Sequence, residues 1–189
     1  MQLLSKLKYY FFVKLRVLKY QLLSDCKTIG FKPKCVTPVL FSGKGQIEMG
    51  KNVQFGYKHS PYFYTHYSYI EARTKTAKIK IGNNVIVNNA CSIVALNKIS
   101  IGDNCTIGTN FSVLDSNFHH LEPEKRHDNN PPSSVVNIGK NVFIGNNVTV
   151  LKGVTVGNNS VIGSNAVVFE SIPENVVVSG NPAQIIKKL

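Results

Sequence analysis

Aliphatic residues recur along this chain every six positions. Ile138, Ile144, Val150, Val156, Ile162 and Val168 keep the interval without a break, and Gly139, Gly145, Gly157 and Gly163 each follow one of them directly. The same interval links Ile81, Val87 and Ile93, and then Ile101, Ile107 and Val113. A period of six fits neither the 3.6-residue turn of a helix nor the alternation of a half-buried strand. It predicts a hexapeptide β-helix, in which each hexad supplies one short strand and one corner and stacked coils bury one another's aliphatic faces. Between the strands lie Gly82-Asn83-Asn84, Gly102-Asp103-Asn104, Gly145-Asn146-Asn147 and Gly157-Asn158-Asn159. Gly and Asn tolerate the positive φ that tight corners need. Cys91, Cys105, Val148, Val154, Ser160 and Ala166 occupy the fifth hexad position, small or β-branched as a cramped interior corner requires.

A different pattern precedes the hexads. Leu3, Leu4, Leu7, Tyr10, Phe11, Leu15, Leu18, Leu22 and Leu23 fall at near-helical spacing among Lys6, Lys8, Lys14, Arg16 and Lys19. Residues 1–34 are therefore expected to form a basic amphipathic segment with a helix, and residues 35–189 the β-helix domain. Two readings of the helix stand side by side. Residues 1–24 rest on an anionic membrane surface, or they pack on the β-helix or a neighbouring subunit with their lysines in solvent.

The beat breaks twice. From about Tyr57 to Lys78 the chain is rich in aromatics, with Tyr62, Phe63, Tyr64, Tyr67 and Tyr69 among His59, His66, Glu71 and Arg73. Such a segment suits recognition of a sugar or partner, or an irregular coil that packs its own rings. The second break, Asp115 to Val135, is a polar loop carrying His119, His120 and His127, with Pro123, Pro131 and Pro132 preventing strand continuation. A loop histidine titrates near neutrality and suits general base chemistry, although a surface histidine without chemistry has the same appearance.

Composition narrows the choices. The chain has 189 residues, a formal net charge of +12 and no apolar run long enough to span a bilayer. Its beginning lacks the apolar core and small-residue cleavage site of a secretion signal. Four cysteines show no metal-binding spacing: Cys91 and Cys105 read as core, Cys26 and Cys35 lie outside the repeat, and a reduced cytosolic state is the simplest expectation. No nucleic-acid recognition motif accompanies the charge.

The run Asp115-Ser-Asn-Phe-His119-His-Leu-Glu-Pro, the stretch from Ile138 to Asn147 and the ending Gly180-Asn-Pro-Ala-Gln-Ile-Ile-Lys resemble the hexapeptide-repeat acyltransferases. The resemblance covers about residues 45–189. It points to the galactoside and maltose O-acetyltransferase branch, and more closely to polysaccharide O-acetyltransferases of capsule and lipopolysaccharide synthesis. It implies an all-β, left-handed parallel β-helix, usually a homotrimer with active sites between subunits. The donor would be acetyl-CoA, with no metal, and the acceptor a sugar hydroxyl of a polysaccharide or glycolipid precursor. His119, ahead of Leu-Glu-Pro, matches the family's general base, with His120 as its rival. Asp115 would orient the imidazole, and Asn88 would contact the acceptor from the adjacent subunit. Phe143, Asn146, Ser164, Phe169 and Lys187 map to the CoA groove. Glu170 and Gln184 stand where the family often has Lys and Arg, which removes positive charge near the phosphates and leaves Lys187 and Lys188 to compensate.

The resemblance leaves other acceptors open, including a nucleotide-linked amino sugar, which would make the protein an N-acyltransferase. A zinc hydratase on the same fold would need three converging histidines, and no matching histidine lies at 81–113. A solenoid that only binds remains the non-catalytic reading.

Overall fold

A computed structural model describes residues 2–129 and 131–189. The chain visits three parallel sheets in strict rotation. The first stacks Lys27–Gly30, Gln46–Met49, Lys78–Ile81, Lys98–Ile101, Val136–Ile138 and Thr155–Val156. The second begins with Lys34–Cys35 and Gln54–Phe55, then adds Ile86–Val87, Thr106–Ile107, Phe143–Ile144, Val161–Ile162 and Val176–Ser179; Gln184–Lys188 closes it antiparallel. The third stacks Val39–Ser42, Ser68–Ala72, Ser92–Ala95, Ser112–Leu114, Thr149–Val150 and Val167–Val168. The result is a three-faced, left-handed parallel β-helix.

The sixfold beat is the core. On the first face Ile81 pairs with Ile101, Ile101 with Ile138, and Ile138 with Val156. Val87, Ile107, Ile144 and Ile162 form the same column on the second face. Ile93, Val113, Val150 and Val168 form it on the third. None of these twelve is more than 3% exposed, and burying each such side chain is worth about 1.5–3 kcal/mol. A coil alone cannot gain this, because half of each contact comes from the coil above or below.

The corners divide labour between Asn and Gly. The Asn two residues after the corner glycine takes the positive φ: Asn84, Asn104, Asn141, Asn147 and Asn159 lie between 55° and 61°. Their side-chain amides also stack, Asn84 Nδ2 donating to Asn104 Oδ1 at 3.1 Å and Asn141 Nδ2 to Asn159 Oδ1 at 3.0 Å. The glycine is needed for another reason. A Cβ on Gly102 would lie 2.6 Å from the carbonyl oxygen of Gly139 in the next coil.

The β-helix starts earlier than the sequence pattern suggests. Lys27–Gly30 pairs in register with Gln46–Met49, so residues 27–34 belong to the first coil rather than to the N-terminal segment. The reason is physical. This end coil has a neighbour on one side only, its first strand is exposed throughout, and it carries no hexad signal. Cys26 and Cys35 are correspondingly part of the structure, half-buried against the core.

The N-terminal segment is helical from Gln2 to Leu23, with a π turn at Tyr10–Lys14. It ends where Ser24 Oγ donates to the Tyr20 carbonyl at 2.7 Å and accepts the Phe41 N–H at 3.0 Å. The first break in the beat holds it down. Tyr9 stacks on Phe63 and Tyr20 on Tyr67, the second pair with centroids 4.5 Å apart. Arg16 donates to the carbonyls of Tyr64 and His66 at 2.6 and 2.8 Å, and Val13 is fully buried. The aromatic excursion spans only 57–67 before Ser68–Ala72 rejoins the third face, and several of its rings serve this internal contact.

Candidate active site

The second break, after Ser112–Leu114, leaves from the edge between the third and first faces. Its base is tied firmly. Ser116 pairs with Ser133 as an antiparallel bridge, Ser116 Oγ donates to the Pro132 carbonyl at 2.9 Å, and the Phe118 N–H donates to Ser116 Oγ at 3.0 Å. Beyond the base most of the loop's described residues are exposed, and Pro123–Lys125 forms a 3-10 turn.

His119 sits just past this base and is exposed. Its Nδ1 lies 3.0 Å from the Arg126 carbonyl oxygen. A carbonyl only accepts, so in the neutral ring Nδ1 carries the proton and Nε2 presents its lone pair outward. That is the tautomer a general base requires. His120 differs: it is half-buried, and its Nδ1 lies 3.9 Å from a Glu122 carboxylate oxygen.

Asp115 does not pair with His119 in the protomer, contrary to expectation. It is fully buried, and its two carboxylate oxygens accept the backbone N–H groups of Leu96 at 2.7 Å and Asn97 at 2.8 Å. The reason is its register: Asp115 follows the last residue of a strand, where its side chain turns into the corner and caps the amides of the coil below. It supports the loop's foot rather than the imidazole.

Sequence reasoning named Glu71 and Arg73 only as polar residues of the first break. In the structure they reach the second. Arg73 forks onto Glu71, with Nε 3.1 Å and an Nη 2.8 Å from carboxylate oxygens, and its guanidinium lies 4.3 Å from the Phe118 ring centroid. Phe118 has a φ of 59°, a left-handed conformation that a bulky residue avoids. The Arg73–Phe118 stack and the Ser116 hydrogen bond therefore hold the backbone next to His119. The i, i+2 spacing of Glu71 and Arg73 signals their mutual ion pair, but nothing in the sequence signals the contact with Phe118.

Asn88 lies at a different edge, between the second and third faces, where its Oδ1 accepts the Asn89 N–H at 2.8 Å. The protomer thus separates Asn88 from His119. Phe143 projects from the second face, 51% exposed, and Lys187 lies exposed in the closing strand of that face. Asn146 Oδ1 accepts the Thr109 N–H at 2.9 Å and Ser164 Oγ accepts the Asn146 N–H at 3.1 Å, so both stitch coils together at the adjoining corner. Phe169 stands at the edge that carries the His119 loop, 48% exposed. The proposed groove residues are thus split between two edges of one protomer. Among the described residues, no three His, Cys, Asp or Glu side chains are placed to hold a metal ion. No described helix is long and apolar enough to cross a membrane.

Comparison with known proteins bears on this geometry. Residues 136–170 match the family "Bacterial transferase hexapeptide (six repeats)" and residues 98–114 match "Hexapeptide repeat of succinyl-transferase". WbbJ of Escherichia coli K12, provisionally named a lipopolysaccharide biosynthesis O-acetyl transferase, is 42% identical over 119 residues, covering 58% of this chain and 60% of that protein. The structure of a galactoside acetyltransferase in complex with coenzyme A aligns with a TM-score of 0.51 and 25% identity, covering 86% of this chain and 64% of the other. AntD, an N-acyltransferase from Bacillus cereus, aligns with a TM-score of 0.66 over 85% of this chain and 82% of its own, and at 18% identity shares the fold alone. The chain spans 55% to 60% of the length of the curated relatives it matches. Residues 98–114 and 136–170 are thus similar to hexapeptide-transferase repeats, and the resemblance to the acyltransferases rests on sequence and fold together.

Proposed function

We propose that this protein is an acetyl-CoA-dependent O-acetyltransferase acting on a sugar hydroxyl of a polysaccharide or glycolipid precursor. The observation that carries the reading is His119, held by the Arg126 carbonyl at 3.0 Å so that Nε2 is the free, basic nitrogen. His119 Nε2 takes the hydroxyl proton as the sugar oxygen bonds to the thioester carbonyl carbon. As the C–S bond breaks, the imidazolium returns that proton to the departing thiolate, so atoms and charge balance without a covalent enzyme intermediate. Asp115 keeps the loop's foot in place, and Arg73 through Phe118 sets the aim of the imidazole.

A homotrimer completes the site. Asn88 of one protomer would meet His119 of the next, and the CoA groove would run between Phe143, Asn146, Ser164 and Lys187 on one subunit and Phe169 on its neighbour. An exposed Phe143 fits contact with the donor's apolar parts, and Lys187 fits its phosphates. The protein would work in the cytoplasm, with residues 1–24 in peripheral contact with an anionic membrane.

The test is release of free thiol from acetyl-CoA in the presence of a panel of saccharide acceptors. Wild-type protein should turn over with at least one acceptor, and His119→Ala should not. Transfer onto amino sugars alone would favour the N-acyltransferase reading, for which the AntD fold is the precedent.

A further inference from the structure

The charge of this molecule is gathered at one end. Residues 1–58 hold eleven Lys and Arg against Asp25 and Glu48, nine of the twelve net positive charges, whereas residues 136–189 hold four Lys against Glu170 and Glu174. Because coils stack in chain order, this asymmetry runs along the axis of the β-helix.

The basic end is also its apolar end. The helix is fastened through Tyr9, Val13, Arg16 and Tyr20, which leaves Leu4, Leu7, Phe11, Leu15, Leu18 and Leu22 exposed, from 39% to 78%. Their spacing of three and four residues makes them one seam along the helix. The solenoid itself adds a second surface. Phe31, Lys32, Lys34, Lys51, Asn52 and Gln54 line a groove across the first two coils that contains no carboxylate, with Phe31 53% exposed and Lys51 Nζ 5.3 Å from its ring centroid. Lys32 and Pro33 share a neighbouring depression with Gln21 and Ser24 at the end of the helix. The groove thus reaches the C-terminal end of the helix through Lys32.

We infer that the rod docks by its N-terminal end on an anionic bilayer, with the Phe31-Lys32-Lys34-Lys51 groove receiving lipid phosphate groups beside the inserting helix seam. An apolar seam flanked by lysines suits the boundary between headgroups and acyl chains. The groove extends the contact onto the β-helix, so that the first two coils face the membrane and the later coils, with Phe143 and Phe169, point away from it. The inference deepens the peripheral contact proposed for residues 1–24 and does not depend on acetyl transfer.

Flotation of the full chain with vesicles tests it without donor or acceptor. Wild type should float with phosphatidylcholine vesicles containing phosphatidylglycerol and not with phosphatidylcholine alone. The triple variant Lys32→Gln, Lys34→Gln, Lys51→Gln should bind anionic vesicles on the order of 100-fold more weakly, since each lysine near the surface contributes about fivefold. All three lysines are exposed, so folding should be retained, and circular dichroism with light scattering checks this. If that variant binds as wild type while Leu15→Gln, Leu18→Gln, Leu22→Gln releases the protein, the groove is not a lipid site and the helix reading stands alone. If wild type ignores anionic vesicles, both fall. If the leucine variant changes only the oligomeric mass, the seam belongs to a second copy of the chain and the inference is overturned.

Discussion

The two excursions from the prism are alike in sequence position and opposite in what they do. Each leaves at a corner of the β-helix, the first passing from the second face to the third and the second from the third face to the first. The excursion at 57–67 is aromatic, and it closes onto the molecule's own helix through Phe63, Tyr67 and the carbonyls of Tyr64 and His66. The loop at 115–135 is polar and proline-bearing, it is pinned at its base, and it leaves His119 exposed with one nitrogen free. An insertion rich in large rings finds burial nearby. One poor in them cannot, and its functional groups stay available to a ligand. Interruption of a repeat marks where a solenoid departs from pure stacking, and composition indicates whether the departure is structural or chemical.

Substitutions should separate these roles, the largest effect coming from the polar loop. His119→Ala should lower acetyl transfer by about 10²–10⁴-fold, the usual share of a general base, with the melting temperature unchanged because the side chain is exposed. Steady-state kinetics with thermal melts would check this; a large loss of stability would make His119 structural. Asp115→Ala should behave in the opposite way. It strands two amides that are now capped, and should cost about 3 kcal/mol in denaturant unfolding. Asp115→Asn, which retains one acceptor oxygen, should recover part of that loss.

Arg73→Ala should reduce kcat by about tenfold with KM little changed, because the Arg73–Phe118 contact, worth about 1–2 kcal/mol where partly desolvated, aims the base rather than holding substrate. Recovery of kcat in Arg73→Lys would support this positioning role, and an altered KM alone would refute it. In the aromatic excursion, Arg16→Ala should cost only about 1 kcal/mol, since its hydrogen bonds lie at the surface. It should show as faster proteolysis between helix and first coil, with acetyl transfer unaffected. The smallest effect concerns the thiols. Burial pushes Cys91 up to about 12 and Cys35 up to about 11, so both stay protonated at neutral pH. Mass spectrometry after alkylation at pH 7.5 should find neither modified in folded protein.

Much of the fold was legible because each aliphatic residue of the beat pairs with its equivalent one coil away. Ile101 between Ile81 and Ile138 is such a case, and its constraint repeats at fixed spacing. The first coil was not legible, since Lys27–Gly30 has one neighbour, faces solvent and shows no periodicity. The corners were half legible: Gly and Asn were expected to share positive φ, whereas Asn adopts it and Gly102 admits the close approach of Gly139. In the site, the loop offered three histidines, and it was the resemblance that singled out His119. Arg73 did not stand out, because its contact with Phe118 crosses coils and no local pattern encodes it. Asp115 was misjudged for the same reason: its partners, Leu96 and Asn97, lie one coil away in space and nearly twenty residues away in sequence.

The most direct test is calorimetric titration of the folded wild-type protein with acetyl-CoA. Binding at one site per chain, retained in His119→Ala and weakened in Phe143→Ala, is the predicted result. Absence of binding by protein shown to be folded and trimeric would contradict the acetyl-CoA-dependent reading and shift weight to another acyl donor or to a solenoid that only binds.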